Sequence, residues 1–161
     1  MKFFAFENQD ERLDLLPLSA RRALDAAGKK LSLEAFRSLD YQERMALCLE
    51  GEKEQPDTDA IRALVALARI PAEDIEPPQL PIPDEVPAIL KSQFNESREV
   101  HPKLWSTLSE LERYALWKVC QKPREPRLTH AFEEIIGAQQ ISTHLRAQGG
   151  VHMVPVTKKE A

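Results

Sequence analysis

The chain has 161 residues, 42% of them apolar, enough for one domain or for two small halves sharing a core, and this excludes wholesale disorder. Its 22 basic and 26 acidic residues leave a net charge of −4, which argues against binding that depends on neutralising nucleic-acid phosphates. No apolar run approaches the roughly 18 residues of a membrane helix, and 5 glycines against 12 prolines argue against phosphate-cradling loops and many tight β-turns.

The chain opens MKFFAFENQDER, where a short apolar patch from Phe3 to Phe6 runs directly into acids. It is too short for a secretory signal, so a cytoplasmic protein is expected, with this patch extended. Ala20, Ala23, Leu24 and Ala27 recur at helical spacing, and Gly28 ends that helix. A short helix carrying Phe36 and Leu39 follows. Asp40-x-x-Glu43 then reads as a capping box, in which each side chain serves the other residue's backbone N–H, and Gly51 reads as the stop. Ile61, Leu64, Val65 and Ala68 form an apolar stripe that Asp57 or Thr58 caps.

From Pro71 to Pro87 six prolines exclude a helix, since each removes a donor and restricts the residue before it. Beyond this linker a helix after Asp84 carries Ile89, Leu90 and Phe94. His101 is placed at a cap with Pro102 in the first turn of a short helix bearing Trp105 and Leu108. Ser109-x-x-Glu112 is a second capping box, and Lys122-Pro123 stops the helix it opens. A last long helix, capped by Thr129, carries Ile135, Ile136 and Leu145, and from Gly149 the composition predicts a frayed tail. No pair of alternating segments flanks a hairpin turn.

The two sides of the linker are alike. At an offset of 69, Phe36 matches Trp105, Leu39 matches Leu108, Glu43-Arg44 matches Glu112-Arg113, and Ala46-Leu47 matches Ala115-Leu116. Each side carries 11 basic and 13 acidic residues when the chain is divided after residue 70. The expectation is an all-α fold of two related helical halves joined by a Pro-rich linker. The halves are residues 1–70 and 88–148, the linker 71–87 and the tail 149–161. Residues 32–51 are expected to superpose on 101–120.

Chemistry-bearing residues are few. His130, Glu133 and Glu134 share a helix, and His130 and Glu134, four apart, share a face. They are the candidates for a small metal site or enzyme, but no partner pair supplies further ligands. Glu43-Arg44 and Glu112-Arg113 read as capping and ion-pairing groups before acid–base ones. Cys48 and Cys120 form no CxxC pair and read as buried free thiols. Arg21, Arg22, Lys29 and Lys30 form a small basic cluster, the basis of an alternative nucleic-acid-binding reading. Trp105 is expected in the core. Trp117 matches the smaller Cys48 and is the candidate anchor for a protein partner.

Four stretches carry a resemblance: Phe4-Ala5-Phe6-Glu7; Pro17, Arg21, Leu24 and Asp25; Gly28 through Leu33; and Trp105 through Lys118. In these the chain resembles the bacterial nitrate reductase-associated protein family, over most of its length up to about Glu134. Lys29 departs from the family's apolar residue at that step, and the Pro-rich segment and tail look individual. The resemblance implies a non-enzymatic accessory role toward nitrate reductase or the molybdoenzyme pathway, because such proteins are typically encoded beside those genes. It implies a protein partner, and it supplies no catalytic residue or cofactor.

Overall fold

The computed structural model of the chain describes residues 1–94 and 98–152. Helix α1 (Leu18–Ala27) buries its alanine stripe and ends at Gly28, whose φ of 69° is left-handed. A Cβ there would stand 2.9 Å from the Ile75 carbonyl oxygen, so close approach as well as conformation calls for glycine. The approach is used: Ile75 N–H donates to the Gly28 carbonyl at 2.9 Å, beside a two-residue antiparallel ladder of β1 (Lys29–Lys30) with β2 (Glu73–Asp74). Helix α2 (Leu33–Ser38) is capped by Ser32, whose hydroxyl accepts from Ala35 N–H. Helix α3 (Tyr41–Glu52) opens on the full box, with Asp40 accepting from Glu43 N–H at 2.8 Å and Glu43 from Asp40 N–H at 2.9 Å. Asp57 caps α4 (Thr58–Val65).

Helix α5 (Ala88–Gln93) lies after Asp84 as expected, with Pro87 at its N-cap, since the fixed φ of proline suits the residue at a helix entrance and not one inside it. Helix α6 (Pro102–Thr107) has His101 at its N-cap, but the imidazole makes no capping bond. Helix α7 (Glu110–Gln121) opens on the Ser109–Glu112 box and ends at Lys122. Helix α8 (Glu125–Phe132) begins earlier than expected, with Pro126 in its first turn, so Thr129 lies inside the helix and caps nothing. It runs through a π-helical turn (Glu133–Gly137) into α9 (Ala138–His152), which passes Gly149 and Gly150. Of the expected tail, residues 153–161 lie outside the described residues. The chain is mostly helical.

Buried side chains form two clusters. One holds Leu13 and residues from α1 to α4, Phe36 and Ile61 among its fully buried members. The other holds residues from Val86 to Ile136 around Trp105. Phe4, Phe6 and Leu18 cross over and join this second cluster. The crossing explains why Phe3–Phe6 is not extended. The chain tightens into a 3₁₀ turn (Ala5–Glu7), in which Ala5 and Phe6 N–H donate to the Glu134 carboxylate at 2.8 and 3.1 Å. The proline segment is likewise tied to both clusters. Ala72 packs against the first, Val86 is buried in the second, and the Ile82 carbonyl accepts from the Trp105 indole N–H at 2.8 Å.

Helix α1 packs against α3, α4 and α7. Gly51, expected as a stop, lies inside α3 and serves this packing. A Cβ on it would fall 1.6 Å from the Ser19 carbonyl oxygen, so the two helix backbones meet there. Helix α3 ends one residue later, where Arg22 reaches across from α1. Its guanidinium donates to the carbonyls of Gly51, Lys53 and Glu54 and satisfies the exposed end of the helix.

Candidate functional site

Most side chains with chemical potential hold backbone groups in place. Glu43 and Glu112 close their capping boxes. Arg44 donates to the Leu39, Arg12 and Leu13 carbonyls, and Arg113, buried, donates to the Leu108 carbonyl at 2.5 Å and to Glu110. Glu134 is engaged by the N-terminal turn, while His130 and Glu133 are exposed. The structure therefore does not bring the expected metal candidates together as ligands. Among the described residues no group of three or more His, Cys, Asp or Glu is placed to hold a metal ion.

Both cysteines are free and buried in different clusters. Burial pushes the Cys48 thiol up to about 11 and the Cys120 thiol up to about 12, so neither is a thiolate nucleophile near neutral pH. The basic cluster read from the sequence is divided: Arg22 is buried at the end of α3, while Arg21, Lys29 and Lys30 face the surface of a cleft.

That cleft, of about 680 Å³, lies where the first cluster meets the second. From α1 and β1 come Arg21, Lys29 and Lys30; from the end of α7 and the start of α8 come Lys118, Lys122, Arg124 and Arg127. Its two acids are already committed. The Glu7 carboxylate accepts from Leu18 N–H at 2.7 Å and Phe4 N–H at 3.0 Å; burial raises its pKa, opposed by those N–H groups and by Arg127. Asp25 Oδ2 accepts from the Tyr114 hydroxyl at 2.7 Å and from Lys118 Nζ at 2.9 Å, which joins α1 to α7. Burial, and then the Asp25 carboxylate beside it, push the Tyr114 phenol well above its ordinary value.

Apolar side chains complete the wall. Leu31 is buried, Leu16 and Ile75 are half-buried, and Leu15 and Leu33 stand exposed. Trp117, the expected anchor, is half-buried next to this region. Its ring lies 5.8 Å from Tyr114, with Lys118 Nζ over its face. Trp105 is fully buried, as expected. The basic side of the cleft was missed although it is visible as Lys118, Lys122, Arg124 and Arg127, four basic residues within ten.

Fold and cleft together define a small, mostly helical protein whose two apolar clusters meet at a basic, partly apolar surface. The chain belongs to the conserved nitrate reductase-associated protein family, whose model matches residues 3–135. No curated protein and no solved structure is similar enough to match it. Among the described residues no helix is long and apolar enough to cross a membrane.

Proposed function

We propose that the protein is a non-enzymatic cytoplasmic accessory protein that docks on nitrate reductase or on the machinery that matures this molybdoenzyme. The family match is the source of the pathway. The observation that supports docking over catalysis is the use of Glu7, Glu43, Glu112, Glu134, Arg22, Arg44 and Arg113 as clamps on backbone groups. A carboxylate fixed in this way is not poised to exchange a proton with a substrate.

We further infer that two related halves, 1–70 and 88–148, form the scaffold, joined by the proline segment 71–87 and followed by a tail at 149–161. In support, α2 and α6 each have six residues, α3 and α7 each have twelve, and both pairs are separated by 69 positions. Arg44 and Arg113 each donate to the carbonyl five residues back. Trp117 is the proposed anchor: an aromatic that is half-buried keeps area for a partner at a small ordering cost.

The test is reciprocal copurification of the tagged chain with nitrate reductase from cells grown on nitrate, together with deletion of the gene. Deletion should lower nitrate reductase activity without lowering the enzyme's transcript. Trp117→Ala should lose copurification while the protein stays folded. Unchanged nitrate reductase activity in the deletion strain would overturn the proposal.

A further inference from the structure

The basic cleft has a surplus of charge that the fold does not use. Seven basic and two acidic residues line it, in a chain whose net charge is −4. Both acids are held by other groups, and the ammonium of Lys29 pairs outward with Asp74. Lys30, Lys122 and Arg124 have exposed side chains with no hydrogen bond or ion pair among the described residues. Concentrating like charges in a concavity raises the energy of the empty state, because low-dielectric walls focus the field there. An anion relieves that cost. Leu15 and Leu33, 42% and 37% exposed beside these cations, are apolar surface that folding leaves uncovered.

We propose that this cleft binds a small phosphorylated organic molecule of about nucleotide size. Three observations select that class. The volume is that of a small-molecule site, in the range of about 300–1,000 Å³. The surplus exceeds what a single carboxylate neutralises, and guanidinium and ammonium groups are the usual partners of phosphate oxygens. The leucines and Ile75 supply a surface for an apolar or planar body, which inorganic phosphate lacks. Nucleic acid fits less well, because the chain as a whole is acidic, with a net charge of −4. The ligand would touch the first half through Lys30 and the second through Lys122 and Arg124, so binding would brace the junction. This inference is independent of docking at Trp117.

The test is calorimetric titration and thermal melting of the full chain with ADP, flavin mononucleotide and pyridoxal phosphate, with pyrophosphate, citrate and hexaglutamate as comparison probes. At least one phosphorylated heterocycle should bind saturably and raise the melting temperature. Its affinity should fall roughly tenfold or more in Lys122→Glu/Arg124→Glu and in Lys30→Glu. Lys103→Glu, on the exposed side of α6 away from the cleft, should leave it unchanged. Pyrophosphate should bind roughly tenfold more weakly, having charge without an apolar body. Failure of all three heterocycles to bind overturns the proposal, as does equal weakening by Lys103→Glu. Citrate binding as tightly would reassign the cleft to polycarboxylates, and hexaglutamate binding as tightly would reassign it to an acidic protein segment. Lys30→Glu stands on the opposite wall, so a folding defect in the double variant leaves the test intact.

Discussion

Gly51→Ala adds one methyl group to a helix and, by intrinsic propensity alone, should stabilise it by about 1 kcal/mol. The packing predicts the opposite. The new Cβ would lie 1.6 Å from the Ser19 carbonyl oxygen and 2.5 Å from its carbon, and these atoms belong to the backbone of α1, which cannot rotate away. Reaching even the 3.0 Å limit of real Cβ contacts requires α1 and α3 to separate by about 1.4 Å. A gap of that size forfeits a large part of the dispersion energy of every contact along the seam, including those of Ala20, Ala23, Leu47 and Cys48, all fully buried. It also pulls Arg22 from the carbonyls it caps. Overpacking of a core typically costs about 1–3 kcal/mol, and a rigid backbone clash belongs at or above the top of that range. After the propensity gain, a net loss of about 2 kcal/mol or more remains, a fall in melting temperature of at least roughly 4–8 °C for a chain of this length. Gly137→Ala is the control: nothing lies within 4 Å of a Cβ there, so it should leave the melt unchanged or raise it slightly. Thermal and urea denaturation of the two purified variants decide the matter. A Gly51→Ala protein as stable as the parent would show that α1 and α3 do not meet at this residue.

Trp105→Ala removes a fully buried ring and its hydrogen bond to Ile82, and should cost about 3–5 kcal/mol in a denaturant titration. Ser109→Ala removes the acceptor for Glu112 N–H at the start of α7 and should cost about 1 kcal/mol by thermal melting. For Tyr114 the sign follows from its raised pKa. The phenol's contribution to stability is fully present below its ordinary value of 10.0 and is lost as pH rises through the higher folded-state value. In Tyr41→Phe, which leaves Tyr114 as the only tyrosine, phenolate absorbance should therefore appear together with alkaline unfolding; a titration in the folded state near pH 10 would contradict the Asp25 contact.

What the sequence made legible was local. The capping boxes at Asp40 and Ser109 depend on residues three apart, so the pattern and the geometry are nearly the same statement. Helical stripes such as Ala20, Ala23, Leu24 and Ala27 were equally plain, because burial on one face has a period. Gly51 was misread because a helix stop and a close crossing both call for glycine, and only the distant Ser19 distinguishes them. Thr129 was misread as a cap because Pro126 opens α8 a turn earlier. The His130–Glu134 spacing was real, but Glu134 is claimed by Ala5 and Phe6, more than a hundred residues away in sequence. The cleft was hidden for the same reason. Lys29 and Lys30 alone look like solvated surface, and they acquire a partner wall only when α7 and α8 are folded beside them.

The junction between the clusters is built unlike either core. Within each cluster the contacts are apolar and non-directional, whereas two of the ties between the chain before the proline segment and the chain after it are directional polar bonds. They are Glu134 on the N-terminal turn, and Asp25 with Tyr114 and Lys118. A buried polar group left without its partner costs more than the intact bond contributes, so the buried Tyr114–Asp25 bond penalises misalignment more than it adds stability. Phe4, Phe6 and Leu18, anchored in the second cluster while the chain around them belongs to the first, prevent either cluster from opening without exposing apolar surface of the other. The consequence is one cooperative transition across both clusters in the parent protein. Loosening the tie by Glu134→Gln, which replaces an acceptor-only carboxylate with an amide that offers N–H against N–H, should broaden that transition or split it in two. A basic cleft lined by residues of both clusters stands on this junction, so an occupant would bear on the coupling between the clusters and not on either core alone.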